Sequence, residues 1–399
     1  MPRHAPHARN EAFWNAYAER YDAEEGPINL ENGYFARMTR TVLEEYQRQI
    51  AFINRSNSVY VRQHFEHGTS LQIRQQLADL LGLDSDTLAL TRSASEGLLS
   101  LIRNYNRLQP GDQVLICDLD YPSVQGAMRW LAGQRGVELI EIALPHPASH
   151  DALVDSYRQA FQRYPRLKLM VLTHVTHRTG LVLPVRDIAH VAKAHGIDVV
   201  LDGAHALGLV EFDLEDLGVA FAGYNLQKWI GGPLSLGFIY IAAGRLGDID
   251  PDMQAPQVNA ADIRSRVPYG TPNIAAWMTL PLVFEEYRSL GGAAVKGPRL
   301  SYLRDLWVAP VRQLKNIEVL TPDDPRLYCT ITALRFRNRV DQQPMVDRLL
   351  ADYGLFTVAR EGSACGPCIR VTPSLSTREA HIQRLVRALT ELDALDQGL

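Results

Sequence analysis

Val199-Val200-Leu201-Asp202-Gly203-Ala204-His205-Ala206 sets an apolar run directly ahead of an acid, two small residues and a histidine. A β-branched run without polar alternation predicts a strand covered on both faces, as in parallel sheets packed between helices. In such a sheet the carboxyl ends of the strands open into the ligand crevice. Asp202, at that end and backed by apolar residues, is partly desolvated and calls for a cationic or proton-donating partner. A helix N-cap or a surface turn is the plainer use of a strand-end aspartate, and this stretch alone leaves both uses open.

Outward from it, runs of the same kind recur at Thr87–Leu90, Gln113–Cys117, Leu167–Leu172, Ile197–Leu201, Val219–Gly223 and Gly237–Ile241. Helix-like segments alternate with them, among them Ser95–Arg103, Pro122–Leu131, Leu153–Tyr164 and Pro184–Ala194. Strands alternating with helices predict βαβ units and a mostly parallel α/β sheet. Asp248–Asn259 is polar and poor in apolar residues and reads as a linker or long loop. Beyond it the order changes to α+β. A helical region, Ile274–Leu306, is broken near Gly291-Gly292 and leads to the strand-like runs Ile317–Leu320 and Tyr328–Phe336. A helix over Pro344–Tyr353, two short strands and a last helix follow, the last opened by Ser376 and Glu379 at capping-box spacing. The expected division is a segment 1–25 packing on the smaller domain, a large domain 26–258 and a small domain 259–399.

Composition narrows the function classes. The 399 residues carry 41 Lys+Arg against 45 Asp+Glu, a net charge of −4, which argues against a basic nucleic-acid footprint and a polybasic membrane patch. The 46% hydrophobic and 22% charged fractions suit a chain with a sizeable core. Four cysteines cannot staple so long a chain, so a reducing cytoplasm is expected. No signal peptide or membrane span is read, and no metal site is expected.

Two further elements join Asp202. Lys228 lies in Tyr224-Asn225-Leu226-Gln227-Lys228-Trp229-Ile230-Gly231-Gly232-Pro233, after the run Val219–Gly223. A lysine held among apolar groups has a depressed pKa and becomes a usable amine nucleophile, although a lone lysine is more often a solvated one. In Leu90-Thr91-Arg92-Ser93-Ala94-Ser95-Glu96-Gly97, a short strand runs through small hydroxyl residues into a helix. Backbone N–H groups at a helix N-terminus, with Ser93 and Ser95 beside them, make a phosphate seat, while a simple serine N-cap is the bland alternative. Together the three suit pyridoxal 5′-phosphate, which needs a lysine for its aldehyde, an acid against its ring nitrogen and a phosphate cradle.

At this point the chain resembles the class V aminotransferase family of fold-type I pyridoxal-phosphate enzymes. Its D-G-A-H-A and N-L-x-K-W motifs are most similar to the isopenicillin N epimerase-like and cysteine desulfurase-like branch. The likeness runs from Ile28-Asn29-Leu30-Glu31-Asn32-Gly33 to Ile369-Arg370-Val371-Thr372-Pro373. It implies a large domain with a mostly parallel seven-stranded sheet, a smaller α+β C-terminal domain, and a homodimer with shared active sites. By motif position, Ser93, Ala94 and Ser95 match the phosphate turn. Tyr121 falls where an aromatic or His stacks on the ring. His177 sits where an Asn or Ser lies near the ring oxygen. Asp202 matches the acid at the ring nitrogen, and His205 the Gln or His beside the oxygen. Asn225 and Gln227 fall near the phosphate, and Lys228 is the cofactor lysine. Thr271, in Gly270-Thr271-Pro272-Asn273, resembles the stretch that reaches the neighbouring subunit's phosphate. Arg370 matches the arginine that holds the substrate carboxylate.

The chain departs from its relatives in places. Gln227 replaces a common His, Leu234-Ser235 stands where another Gly is usual, and His177 is unusual, with Arg178 beside it as a second anion reader. Tyr34 and Phe35 could line the substrate entrance or pack in the core. Cys365-Gly366-Pro367-Cys368 spells a redox motif but leads into a strand-like run instead of opening a helix, which weakens that reading. A persulfide role for either cysteine is the sharper alternative. The expected activity is chemistry at the α-carbon of an amino-acid substrate, with Lys228 as base. Transamination is placed first; β-elimination and epimerisation stay open, and a non-catalytic relative that binds a partner is the remaining alternative.

Overall fold

In the computed structural model, which describes residues 7–23, 25–361 and 364–395, the apolar runs form one seven-stranded sheet. Its order is Leu88–Thr91, Gly237–Ile241, Phe221–Asn225, Asp198–Asp202, Leu167–Thr173, Gln113–Cys117, Glu138–Ile142. The five strands from Phe221–Asn225 outward to Glu138–Ile142 are parallel, and Gly237–Ile241 is antiparallel to both neighbours. Strands Gln113–Cys117, Phe221–Asn225 and Gly237–Ile241 are buried at every residue, which explains why they lack polar alternation. Asp202 ends a strand in the middle of the sheet, in register with Thr173 on one side and Gly223 on the other.

The edge strand Glu138–Ile142 was not among the runs read from sequence. It keeps only Ile140 fully buried and turns Glu138 and Glu141 to solvent, as edge strands commonly do. Gly203, directly after Asp202, has a packing cause: a Cβ there would lie 2.1 Å from the Tyr224 ring.

A four-stranded antiparallel sheet forms the second unit, in the order Val358–Arg360, Cys368–Val371, Thr332–Phe336, Ile317–Val319. Leu303, Trp307 and Val311 of helix Ala293–Val311, Leu349 of helix Gln343–Tyr353, and Leu385 and Leu389 of helix Glu379–Leu395 bury its apolar face. The expected capping box of the last helix is absent. Glu379 accepts from Tyr302 Oη, and Ser376 Oγ pairs with Ser374 Oγ at 2.9 Å.

The N-terminal stretch is stitched onto this second sheet. Ile28–Asn29 pairs in parallel with Leu355–Phe356, and Thr372 N–H donates to Leu30 O at 2.7 Å. Asn32 Nδ2 donates to Thr372 O at 2.9 Å. Earlier in the chain, Arg299 of helix Ala293–Val311 donates to Ala8 O, pairs with Glu11 and lies over the buried Trp14 ring. Helices Arg40–Tyr60 and Ser70–Leu81, in a stretch where sequence reading marked no element, pack against helix Ile274–Leu290. Among the described residues no helix is long and apolar enough to cross a membrane.

Candidate active site

The strand ends converge on Lys228. It sits in the turn after strand Phe221–Asn225, closed by Gly231 N–H to Lys228 O and Gly232 N–H to Leu226 O, with Gly231 in the left-handed region at φ 88°. Lys228 Nζ lies 2.9 Å from His205 Nε2. Burial pushes the Lys228 amine down to about 8, with Arg360 pushing the same way and Asp202 opposing. Burial likewise pushes His205 well below its usual range, with Lys228, His177 and Arg360 adding to the shift. A neutral His205 whose Nε2 accepts from Lys228 carries its proton on Nδ1, and that buried Nδ1 has no partner.

Asp202 is 5% exposed, and its Oδ1 accepts from Ala204 N–H at 3.0 Å. Burial raises its carboxyl pKa, against the pull of the Ala204 N–H and of Lys228. A buried acid left short of partners suits a ring N–H placed against it.

The seat at residues 93–95 is more committed than its sequence shows. Ser93 caps helix Ala94–Asn104, its Oγ accepting from Glu96 N–H at 3.1 Å, and its carbonyl takes Gly97 N–H at 3.1 Å. Asn225 Oδ1 takes Ala94 N–H at 2.8 Å. Of the first four helix N–H groups, only that of Ser95 finds no acceptor among the described residues. Gln227 spends its Oε1 on Leu236 N–H at 3.0 Å, which steadies the lysine turn and leaves its amide N–H groups as donors.

Tyr121 opens helix Pro122–Arg135, is 42% exposed, and meets the His177 ring edge-on with centroids 5.0 Å apart. Burial, helped by Arg178, Arg360 and Lys228, drives His177 down to about 3, and its buried Nδ1 has no partner. Arg178 is buried and donates to Asp118 O at 3.0 Å. Arg370, 3% exposed, donates through Nη1 to His177 O at 2.6 Å and pairs through Nη2 with Glu31. Each Nη of this fork is thus engaged once and keeps a second N–H, while the buried Nε–H finds no acceptor among the described residues. Tyr34 is 72% exposed at the rim, with its N–H on Glu31 Oε2. Thr271 is exposed and makes no hydrogen bond to the cluster among the described residues.

Two residues of the site were missed. Glu31 and Arg360 are 329 positions apart and pair at 3.1 Å, a contact created only by the N-terminal stretch lying along the second sheet. Repeated spacing within one element would have exposed such a pair; a contact between distant elements leaves no such trace.

The donor set fits the proposed group: a buried amine, an acid awaiting a donor, unsatisfied nitrogens on His177 and His205, and a free N–H at Ser95. An amine at about 8 has a measurable consequence. In cofactor-free protein, Lys228 should half-titrate near pH 8 because its uncharged form is favoured by burial. The pH dependence of its reductive methylation, read by peptide mapping, tests this; a midpoint near the ordinary lysine value of about 10.4 contradicts it.

Comparison with known proteins agrees with this geometry. The family model described as "Aminotransferase class-V" matches residues 34–388. Isopenicillin N epimerase of Streptomyces clavuligerus is 28% identical over 337 residues, covering 80% of this chain and 84% of that protein. Putative L-cysteine desulfhydrase 1 of Oryza sativa subsp. japonica is 27% identical over 234 residues, covering 54% and 48%. The crystal structure of the cysteine desulfurase CsdA from Escherichia coli superposes with a TM-score of 0.78 at 20% identity, covering 97% of this chain and 99% of that one.

Proposed function

This chain belongs to the class V aminotransferases, a family of pyridoxal-phosphate enzymes, and on that premise we propose a one-base reaction at the α-carbon of an amino acid, with release of a β-substituent. When bound, pyridoxal phosphate supplies a ring that accepts the electron pair left at the α-carbon. Lys228 would hold the cofactor, and its amine would serve as the base for the α-proton; an amine at about 8 is a good base near neutral pH. His205, 2.9 Å from that amine, orients it, and its unshared Nδ1–H would be available to a cofactor oxygen. Asp202 would keep a ring nitrogen protonated. The Ser95 N–H, Asn225 and Gln227 would hold the phosphate end, Tyr121 would cover the ring, and Arg370 would hold the α-carboxylate with its Nε–H, with Arg178 as a second anion reader.

The observation that carries the one-base reading is His177. At about 3 it does not titrate in the working range, so it acts as a hydrogen-bonding group and not as a second acid–base for epimerisation. Release of a β-substituent is favoured over the transamination placed first from sequence because the relatives include a putative L-cysteine desulfhydrase. The test is a product assay on β-substituted amino acids such as cysteine and β-chloroalanine. Pyruvate and ammonia in equal amounts support the proposal; stoichiometric transfer of the amino group to a 2-oxo acid overturns it.

Burial and the neighbouring cations hold the His177 imidazole down at about 3. His177→Asn should retain cofactor and appreciable turnover with no new inflection between pH ~5 and ~9. Loss of an acidic limb in that window contradicts it.

We also propose a homodimer, in the cytoplasm, in which exposed Thr271 serves the neighbouring subunit's phosphate. The division into a segment 1–25, a large domain 26–258 and a small domain 259–399 is part of the same proposal.

A further inference from the structure

Glu31 does more than fill space beside Arg370. Its Oε1 accepts from Nη2 of Arg370 and, at 3.1 Å, from Nη2 of Arg360, while Oε2 takes Tyr34 N–H at 3.2 Å. The carboxylate side chain is 5% exposed. Its backbone is fixed by the Thr372 N–H bond to Leu30 O and by the Asn32 bonds to Thr372 O. Gly33 completes the seat: a Cβ there would lie 3.0 Å from Arg370 Cζ, so the guanidinium rests against bare backbone. A carboxylate so held is a fixed strut, not a gate that swings aside.

The strut leaves donors over. Among the described residues, the Nε–H groups of Arg360 and Arg370 are both buried and find no acceptor, and buried N–H groups without an acceptor are costly unless a ligand satisfies them. The charge count points the same way. Among the described residues, Arg360 and Arg370 share the single carboxylate of Glu31, while Asp202 answers Lys228 and Asp118 answers Arg178, with His177 and His205 held neutral. Arg360 is near enough to Lys228, His177 and His205 to push each toward its uncharged form, and its bond to Glu31 sets it beside Arg370. One α-carboxylate satisfies one guanidinium and leaves the second.

We infer that Arg360 reads a second acidic group on the substrate, with Glu31 as the positioning residue that clamps Arg360 and Arg370 into one two-anion receptor. The substrate class is an amino acid bearing a side-chain carboxylate or an equivalent oxyanion. The inference rests on the proposal that Arg370 holds the α-carboxylate.

Calorimetric titration of the holoenzyme with propionate and with glutarate separates the two claims, since neither probe carries an amine to react. The wild type should bind glutarate about tenfold or more tightly than propionate, as a second charge-assisted pair implies. Arg360→Gln should erase that advantage while leaving propionate binding within about threefold. Glu31→Gln should shrink it, because Arg360 loses its tether. Equal affinities in the wild type, or an advantage that survives Arg360→Gln, overturn the role of Arg360. An advantage unchanged in Glu31→Gln overturns the clamp. Propionate binding unaffected by Arg370→Gln would instead remove the α-carboxylate site itself, and the inference with it.

Discussion

Lys228→Ala should lower kcat by about 10⁴-fold or more, because on the proposed function one substitution removes both the cofactor's covalent anchor and the α-proton base. The fold should survive. Lys228 is a desolvated amine whose charged form is disfavoured where it sits, so its removal relieves a buried charge and leaves a small gap beside His205. Its contribution to stability has a definite sign. The amine's folded value of about 8 lies below its ordinary value, so the unfolded chain binds the proton more tightly between the two. Stability therefore rises with pH across that interval, and the penalty is fully present below it. The cofactor-free Lys228→Ala protein should show a smaller rise, keeping only the share that Lys296 contributes through the same interval. Added ethylamine should restore part of the turnover by replacing the missing base. Turnover within tenfold of wild type would contradict the assignment.

Arg370→Ala should be nearly as damaging, for different reasons. It removes the donor facing the α-carboxylate and leaves Glu31 buried with Arg360 as its remaining guanidinium partner. Breaking a buried, hydrogen-bonded charge pair typically costs about 2–5 kcal/mol, so a loss of kcat/KM of about 10²–10³-fold is expected, together with a lower Tm. Arg370→Lys should rescue little. An ammonium is a single charged point and cannot serve His177 O, Glu31 and a substrate carboxylate at once, as the planar guanidinium does. A lysine variant with wild-type KM would show that the fork geometry is irrelevant.

The cluster proposed to hold the cofactor could be read from the sequence because each of its members is local to one strand end. Asp202 follows its own apolar run, Lys228 the next strand's turn, and Ser93 the strand that starts the sheet. Parallel sheet geometry brings such ends together whatever the intervening chain does. The substrate side was only half legible. Arg370 was found by its resemblance, but the partners that shape it come from elsewhere. Glu31 is delivered by the pairing of Ile28–Asn29 with Leu355–Phe356, and Arg360 by an antiparallel register with Cys368–Val371. Neither contact leaves a periodicity to read. The edge strand Glu138–Ile142 escaped for the opposite reason: its charges are what a solvent-facing edge requires, and they mask the strand pattern.

The cofactor lysine is the central claim, and the composition of the chain makes it sharply testable. Of its five lysines, Lys228 and Lys296 are the two whose amines burial pushes down to about 8. Lys296 is the real competitor, because its amine chemistry is equally favourable. It differs in placement: its Nζ is tied to Trp229 O and sits 5.5 Å over the Tyr287 ring, and burial alone shifts it, whereas Lys228 also feels Asp202. Borohydride reduction of the yellow holoenzyme, followed by peptide mapping, reads the attachment point directly. The account predicts the pyridoxyl group on Lys228 alone; a label on Lys296, or on any of the other three, would contradict it.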